Sequence, residues 1–268
     1  DTGAMTESPS TLRVLRDARG VARLQLDRPD KHNAFDEALI AALHEAVRSC
    51  GADPAVRVLL LEGRGASFCA GADIAWMRRA AAASQADNLL DAQRFAALLH
   101  AIASCPKPVL ARVQGLALGG GAGLVAACDM AIAADDAQFA ISEVRFGILP
   151  AVIGPYLIRA VGQRQAQALA LTAERMAATE ALRIGLLHRV VPLAELDAAV
   201  DACTALLLAA APQAQGEVKQ LFARLSPGDL GEATRELTAQ TIARVRAGAE
   251  AREGFAAFTE KRSPAWTR

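Results

Sequence analysis

Aromatic side chains are scarce in this sequence. Only 4% of its 268 residues are Phe, Trp or Tyr, with a single tyrosine, although hydrophobic residues together reach 53%. We therefore expect a core built from Ala, Leu, Val and Ile on closely packed helices. A chain of this length can bury roughly 70–75% of its unfolded surface, enough for one large domain or for a core with a small appendage.

The sequence also lacks an excess of charge of either sign. Lys plus Arg and Asp plus Glu number 29 each, which argues against a general surface for nucleic acid or an acidic membrane, so any anion site must be local. No apolar run is long enough to span a membrane, because Arg112, Gln114 and Asp129 interrupt the most hydrophobic region. We expect neither a nucleic-acid partner nor association with a membrane.

Cysteine and histidine show no metal-binding pattern. The five cysteines include no Cys-x-x-Cys pair, and the four histidines lack metal-ligand spacing. We therefore expect reduced thiols and no structural zinc. Residues 1–4 are interpreted as an addition before an initiator Met5, and no signal-peptide pattern follows, so we expect a cytoplasmic protein.

What the sequence does contain is a run of three glycines, Gly119, Gly120 and Gly121, between a predicted strand at 109–113 and a short apolar helix. Glycine lets a ligand approach the backbone closely, and the first N–H groups of a helix have no partner within it. Such a place favours developing negative charge. Tight packing or a sharp turn is the alternative interpretation.

A second junction of the same kind lies upstream. Residues 56–61 predict a strand, residues 62–67 a loop, and Asp73 an N-cap for a helix that starts at Ile74. Each junction offers a backbone donor, and ligands of open α/β folds bind at the carboxyl ends of the strands. We expect both junctions to lie at such ends.

The remaining pattern predicts an α/β core followed by helices. Strands are predicted at 12–15, 21–26, 56–61, 109–113, 130–134 and 188–191, with a helix at 35–50. Helical segments long enough to cross over separate the strands, which indicates a largely parallel sheet. From Leu193 onward the pattern is helical, broken at Pro212 and at 226–229.

Five segments together resemble the crotonase superfamily, which includes the enoyl-CoA hydratases and isomerases. They are residues 27–34, 69–73, the segment that starts at Gly119, 139–147 and 252–262, so the likeness covers nearly the whole chain after the first ten residues. The resemblance implies an α/β fold whose core, residues 5–205, is a spiral of ββα units. It also implies a C-terminal helical region, 206–268, that packs across a trimer interface, with trimers often pairing to hexamers.

The resemblance also implies the chemistry. Adding water to an enoyl thioester, or moving its double bond, places negative charge on the thioester oxygen, which two backbone N–H donors stabilise. By resemblance these donors belong to Ala70 and Gly120. The implied substrate is an acyl-CoA thioester that carries its own coenzyme A, and neither a metal nor a separate cofactor is implied.

Proton transfer in the family's hydratases uses two glutamates, and this sequence retains one. The second corresponds to Glu143, whereas Gly123 stands in place of the first. Two mechanisms stay open. In the one we prefer, ionised Glu143 takes a proton from water as it attacks Cβ and returns a proton to Cα. In the other, Glu143 shuttles a proton between the α and γ carbons, as in the single-glutamate isomerases. A solvated loop carboxylate is the alternative interpretation.

Residues 141–153 and 123–129 resemble a bacterial branch near the methylglutaconyl-CoA and isohexenylglutaconyl-CoA hydratases. Glycine at position 123 is expected to free volume and to remove a negative charge, which suits a branched substrate with its own carboxylate. Arg145 is a candidate counter-charge, although two residues from Glu143 it could equally point into solvent.

Recognition of coenzyme A requires local cations and a slot for adenine. The resemblance places Arg28 and Lys31 near the nucleotide. The other predicted substrate-binding residues are Ala70, Gly71, Ala72, Asp73, Gly119, Gly123, Arg145, Phe258 and Lys261. Asp73 is also expected to cap its helix, and a neighbouring subunit is expected to donate Phe258 and Lys261. Solvated lysines, and helix packing for Phe258, are the alternatives.

Two other classes of function fit weaker signals. Residues 121–126 match G-x-G-x-x-A after a strand, with Glu143 near the distance of a ribose-binding acid, as in an NAD-binding oxidoreductase. The next predicted strand, 130–134, follows too soon for the crossover helix of such a fold. A non-catalytic RNA-binding relative is the other alternative, and the neutral charge gives it no support.

Overall fold

The computed structural model describes residues 11–226 and 228–267. Residues 1–5, interpreted above as an addition and an initiator, and the start of the predicted 5–205 core lie outside the described residues. The strands are β1 (Leu12–Arg16), β2 (Val21–Leu26), β3 (Val58–Gly63), β4 (Val109–Val113), β5 (Leu116–Leu118), β6 (Met130–Ala134), β7 (Gln138–Ala140), β8 (Met176–Ala177) and β9 (Arg189–Val191). The α-helices are α1 (Glu37–Ala52), α2 (Ile74–Ala82), α3 (Gln85–Ser104), α4 (Gly120–Ala127), α5 (Gly154–Val161), α6 (Gln163–Thr172), α7 (Ala178–Arg183), α8 (Leu196–Ala209), α9 (Pro212–Arg224), α10 (Glu232–Arg246) and α11 (Ala249–Thr259).

Six strands form one sheet in the order β1-β2-β3-β4-β6-β9. β1 pairs antiparallel with β2, and the other neighbouring pairs are parallel, with registers such as Val21 to Val58 and Leu110 to Met130. The prediction of a largely parallel sheet is confirmed. β3 begins and ends later than the predicted 56–61, so Gly63 belongs to the strand and not to the loop that follows it.

Three shorter strands, β5, β7 and β8, form a second sheet that the sequence analysis did not predict. Each contains only two or three residues, too few to show the alternation that identifies a strand. β5 leads directly into Gly119, and an isolated bridge pairs Ala117 of β5 with Cys69 of the other junction. The second sheet therefore brings the two predicted junctions together.

Aliphatic side chains dominate the cores on the two faces of the six-stranded sheet. The larger core includes Leu59, and the smaller core, beneath α8, includes Leu60. These neighbours along β3 face opposite cores because successive side chains of a strand alternate. Phe35 and Phe95 are among the few aromatic residues inside, and their rings stack with centroids 4.8 Å apart.

Helices α8 to α11 confirm the predicted C-terminal helical region. Pro212 begins α9, where the missing N–H of proline has no helical partner to lose, and Gly248 separates α10 from α11. The predicted boundary between residues 205 and 206 falls inside α8, which packs on the sheet. Large apolar side chains stay exposed here: Leu206, Phe222, Leu230, Ile242, Phe255 and Phe258. Within the described part of the chain, no helix combines the length and apolar character that crossing a membrane requires.

Candidate active site

A cavity of about 680 Å³ lies where the two junctions meet. It is bordered by the backbone at 70–72, by one face of α2, by the first residues of α4 and by a 3-10 helix, Glu143–Phe146. Most of its side chains are apolar, and Met77 and Ile148 are among them. The junctions thus surround a single space at the carboxyl ends of neighbouring strands.

The glycine run supplies both a turn and a free donor. Gly119 has φ 51° and ψ −120°, a conformation that residues with a Cβ rarely adopt, and its N–H donates to the carbonyl oxygen of Ala140 at 2.7 Å. The N–H of Gly120 makes no hydrogen bond within the described residues. A Cβ on Gly120 would lie only 2.4 Å from Cζ of Phe35. Tight packing and an unpaired N–H therefore occur at the same residue.

The backbone of Ala72 is held by a bridge to Phe35. The Phe35 N–H donates to the carbonyl oxygen of Gly71, and the Asp73 N–H donates to the carbonyl oxygen of Phe35, each at 2.8 Å. In such a parallel bridge the N–H of the central residue points to the other side. The Ala72 N–H accordingly makes no hydrogen bond with any described residue, and Ala72 borders the cavity.

The structure corrects the prediction that the Ala70 N–H is the oxyanion donor. That N–H donates to the carbonyl oxygen of His32 at 2.9 Å, so it is already paired. Gly71, at φ 92°, interrupts the regular alternation of the chain, and Ala70 and Ala72 consequently present their N–H groups to different neighbours. A Cβ on Gly71 would lie 3.8 Å from the Gly120 nitrogen, which places the Ala72 segment beside α4.

Asn33 supports this arrangement, and the sequence analysis did not identify it. Its side chain is fully buried, and Nδ2 donates to the carbonyl oxygens of Ser67 at 2.7 Å and Arg64 at 2.9 Å. Its Oδ1 accepts from the N–H of Arg28 at 2.9 Å. Asn33 has φ 55°, a conformation that asparagine tolerates better than most residues. An asparagine within a loop was the only sequence signal for this role.

Asp73 confirms the predicted cap of α2. Its Oδ1 accepts from the N–H groups of Ala75 at 2.8 Å and Trp76 at 3.3 Å. Its Oδ2 lies 3.0 Å from both Lys31 Nζ and Arg28 Nη2. The hydrogen bond from Lys31, helped by those backbone donors, lowers the pKa of Asp73 to about 2. Asp73 is therefore an ionised anchor at the edge of the site.

The same ion pairs give Arg28 a structural role. Its guanidinium also lies 3.1 Å from Asp36 Oδ2, and only 11% of the side chain is exposed. Two carboxylates pair with this cation, so it holds the loop together, and its place near the nucleotide stays a prediction. Lys31 is 49% exposed and keeps one face open to solvent.

Glu143 lies in the cavity wall beside the glycine run. A Cβ on Gly119 would be 3.3 Å from Glu143 Oε1. The other oxygen, Oε2, is buried and has no hydrogen-bond partner among the described residues. Burial raises the pKa of Glu143, while backbone N–H donors of Glu143 itself and Ser142 act in the opposite direction. A solvated loop carboxylate does not describe this residue.

Gly123 does not border the cavity, in contrast to its predicted role in substrate binding. It is buried within α4, and a Cβ there would lie 2.2 Å from Cγ2 of Ile153 and 2.8 Å from its Cβ. The volume that we expected glycine to free for a branched substrate is filled by Ile153. The family's first glutamate could not enter this position unless Ile153 moved.

Three arginines border the cavity. Arg145 was predicted, whereas Arg78 on α2 and Arg175 before β8 were not. Within the described residues, none of the three side chains makes a hydrogen bond or ion pair. Arg78 follows Ile74 by one helical turn, so both lie on the face of α2 that meets the cavity. These cations are available to an anionic ligand.

The two predicted contributions from a neighbouring subunit lie elsewhere. Phe258 is 86% exposed on α11, and Lys261 follows that helix at φ 54°. Neither borders the cavity of its own chain, so their role in a neighbouring site stays a prediction. Among the described residues, no three His, Cys, Asp or Glu side chains cluster as metal ligands.

The structure does not favour a dinucleotide site. Gly121 and Gly123 lie within α4, where the fingerprint of a dinucleotide fold would place them in the turn before the helix. α4 has only eight residues, and β6 begins shortly after it. The match of residues 121–126 to that fingerprint is therefore accidental.

Comparison with known proteins agrees with this geometry. The sequence model of the family described as Enoyl-CoA hydratase/isomerase matches residues 16–268. A putative enoyl-CoA hydratase of Thermus thermophilus is 34% identical over 244 residues, covering 91% of this chain and 96% of that protein. A crotonyl-CoA hydratase of Syntrophomonas wolfei is 35% identical over 262 residues, covering 93% and 95% respectively. The crystal structure of an enoyl-CoA hydratase from Shewanella pealeana matches with a TM-score of 0.92 and 42% identity, covering 96% of each chain.

The two sheets, the C-terminal helices and the cavity between two strand-to-helix junctions define an enzyme of the crotonase superfamily, as the sequence predicted. Within that superfamily, the chain belongs to the enoyl-CoA hydratase/isomerase family. Relatives named as hydratases are hydro-lyases, which agrees with the predicted enzyme class. The narrower likeness to glutaconyl-type hydratases stays a prediction.

Proposed function

We propose that this enzyme adds water to the double bond of an α,β-unsaturated acyl-CoA thioester. One observation carries the proposal: the unpaired N–H groups of Ala72 and Gly120 and the carboxylate of Glu143 border one cavity. The two N–H groups bind the thioester oxygen. A donor of this kind typically contributes about 3–4 kcal/mol of transition-state stabilisation.

Glu143 acts as the only acid and base of this reaction. In its ionised form it takes a proton from water while the water oxygen bonds to Cβ, and the π electrons move through Cα to the thioester oxygen. The enolate then takes that proton from Glu143 at Cα, which restores the carboxylate. No other Asp or Glu side chain borders the cavity within the described residues, so one group serves both transfers.

Absorbance of the conjugated thioester tests this proposal. The protein mixed with a 2-enoyl-CoA is expected to remove that absorbance, and Glu143→Gln is expected to abolish the change. A single carboxylate also fits an isomerase, which would raise the absorbance when it receives a 3-enoyl-CoA. If none of the 2-enoyl-CoA substrates lost absorbance and 3-enoyl-CoA substrates gained it, the reaction would be isomerisation and not hydration.

The finer proposal is a branched substrate that carries its own carboxylate, of the glutaconyl type. Its support is now the three unpaired arginines at the cavity and not the volume at Gly123. An acyl carboxylate would pair with Arg145 or Arg175, while apolar residues such as Met77 and Phe146 contact the branch. We expect methylglutaconyl-CoA to be preferred over methylcrotonyl-CoA, which lacks only the carboxylate, by about 10- to 100-fold in kcat/KM.

Variants separate this substrate proposal from hydration itself. Arg145→Ala or Arg175→Ala is expected to remove the preference and to leave hydration of methylcrotonyl-CoA in place. Arg48→Ala, an exposed arginine on α1 away from the cavity, is the matched control. Equal kcat/KM for the two substrates in the unaltered enzyme would contradict the carboxylate proposal and leave hydration intact.

Self-association as a trimer or hexamer belongs to the same proposal, as does action in the cytoplasm. α10 has no buried residue, and α9 and α11 have one each, while Phe222, Phe255 and Phe258 are largely exposed. Apolar surface of this kind is typical of a subunit interface. Light scattering after size-exclusion chromatography is expected to give three or six times the 28.0 kDa of one chain.

A further inference from the structure

Ser142 and Glu143 place two oxygens over the same glycine. If Gly119 carried a Cβ, its nearest neighbours would be Glu143 Oε1 at 3.3 Å and Ser142 Oγ at 3.5 Å. The positive φ of Gly119, 51°, disfavours any residue that would fill this space. Both oxygens therefore border the space beside Gly119 that a Cβ would enter.

The Ser142 hydroxyl has no structural task within the described residues. It precedes the 3-10 helix Glu143–Phe146 but makes no capping hydrogen bond to it, and no other described residue bonds its Oγ. Apart from Glu143 and the three arginines, it is the only hydrogen-bonding side chain that borders the cavity in the described part of the chain. It is also the only uncharged one.

In hydration with a single carboxylate, one hydrogen of the attacking water has no acceptor on that carboxylate. Water has two hydrogens, and Glu143 can accept only the one that it will remove. A side chain at position 123 cannot hold the other, because Ile153 closes that position. Ser142 Oγ lies beside the Glu143 carboxylate at Gly119 and has no other partner among the described residues, so it can accept that second hydrogen.

We propose that Ser142 is a positioning residue that holds the attacking water against Glu143, an inference that rests on the hydration proposed above. The water donates one hydrogen to the Glu143 carboxylate and the other to Ser142 Oγ, which leaves a lone pair free for Cβ. The bond from oxygen to Cβ forms, Glu143 takes the first proton and later delivers it to Cα. Ser142 gains and loses no proton.

Two activities of the same site test this proposal. Hydration needs the water, whereas exchange of the Cα hydrogen of a saturated acyl-CoA in deuterated water needs only Glu143 and the two N–H donors. Ser142→Ala is expected to lower kcat for hydration by about 10- to 100-fold, the usual effect of losing a hydrogen bond to a charged or charge-developing group. Exchange is expected to stay within about twofold of the unaltered enzyme.

Matched variants separate positioning from a structural effect. Ser142→Thr keeps a hydroxyl and is expected to restore most of the hydration that Ser142→Ala loses. Ser104→Ala, an exposed serine on α3 that bonds only the carbonyl oxygen of His100, is the control. The acid limb of the pH profile of kcat/KM is expected to be the same for Ser142→Ala and the unaltered enzyme, since Ser142 does not set the pKa of Glu143 through its side chain.

Three results would overturn the inference. Full hydration by Ser142→Ala would show that the hydroxyl is not needed. An equal loss of hydration and exchange would assign Ser142 to the structure of the site. An unaltered enzyme that exchanges Cα hydrogen but hydrates no enoyl-CoA would remove the proposed hydration, and this inference with it.

Discussion

The packing of Gly123 against Ile153 gives a quantitative prediction. Gly123→Ala introduces a Cβ 2.2 Å from Ile153 Cγ2 and 2.8 Å from Ile153 Cβ, inside a buried helix. Overpacking of a core usually costs about 1–3 kcal/mol. Alanine has a higher helix propensity than glycine, which stabilises the folded state by up to about 1 kcal/mol. Because a 2.2 Å contact is severe, the upper part of the overpacking cost applies, and we expect Gly123→Ala to lower the free energy of unfolding by about 1–2 kcal/mol.

A double-mutant cycle tests the cause of this loss. Ile153→Ala alone removes a buried side chain and is expected to cost about 2–5 kcal/mol. It also removes the Cγ2 that the new Cβ would meet at 2.2 Å but keeps the Cβ at 2.8 Å. The double variant should therefore lose less than the sum of the two single variants, by about 1 kcal/mol. Gly154→Ala is the control, because a Cβ there meets nothing within 4 Å.

Urea unfolding followed by circular dichroism measures these free energies, at one fixed protein concentration because self-association stabilises the folded chain. If the loss of the double variant equals the sum of the two single losses to within about 0.5 kcal/mol, the two positions do not meet and the reasoning is refuted. The cycle also bears on mechanism. If the coupling is found, Gly123→Glu cannot restore the family's first glutamate without a smaller residue at position 153.

Four other predictions concern the site. Burial raises the pKa of Glu143, so kcat/KM for hydration is expected to fall as the pH drops through a value above the usual glutamate range. Because the folded chain holds the Glu143 proton more tightly than the unfolded chain does, this proton stabilises the fold at low pH. That stability is lost as the pH rises through the raised pKa. Glu143→Gln should therefore raise the Tm relative to the unaltered enzyme at about pH 8 but not at about pH 4, and an unchanged Tm difference would contradict the assignment. Asp73→Ala removes the cap of α2 and leaves Arg28 with one carboxylate fewer. Calorimetry should therefore show that the free energy of unfolding falls by about 0.5–2 kcal/mol or more. Gly119→Ala is expected to lower kcat strongly with little change in KM, because its Cβ enters the space beside Glu143; an unchanged kcat would argue against that position.

Local patterns in the sequence were sufficient to predict the main sheet and the two strand-to-helix junctions that border the cavity. Apolar runs gave the strands of the six-stranded sheet, and the glycine run and Asp73 marked the two helix starts because backbone conformation and capping are local properties. The strands of the second sheet could not be predicted, since pairing with distant residues and not their own composition makes them strands.

The details of the site depend on contacts that lie far apart in the sequence. A motif locates the segment 69–73, but the bridge to Phe35 and the conformation of Gly71 decide that Ala72 has the unpaired N–H and Ala70 does not. The environment of Gly123 depends on Ile153, thirty residues away. Arg175 reaches the cavity from a segment with no motif at all.

Phe35 touches both halves of the proposed oxyanion site, Ala72 and Gly120, and does not border the cavity. Its backbone bonds the residues on each side of Ala72, Gly71 and Asp73, and its ring lies where a Cβ of Gly120 would be. The spacing between the two amides is thus fixed by one phenylalanine. A smaller side chain there would let the amides drift apart, and turnover would fall although every group proposed to meet the thioester had been left unchanged.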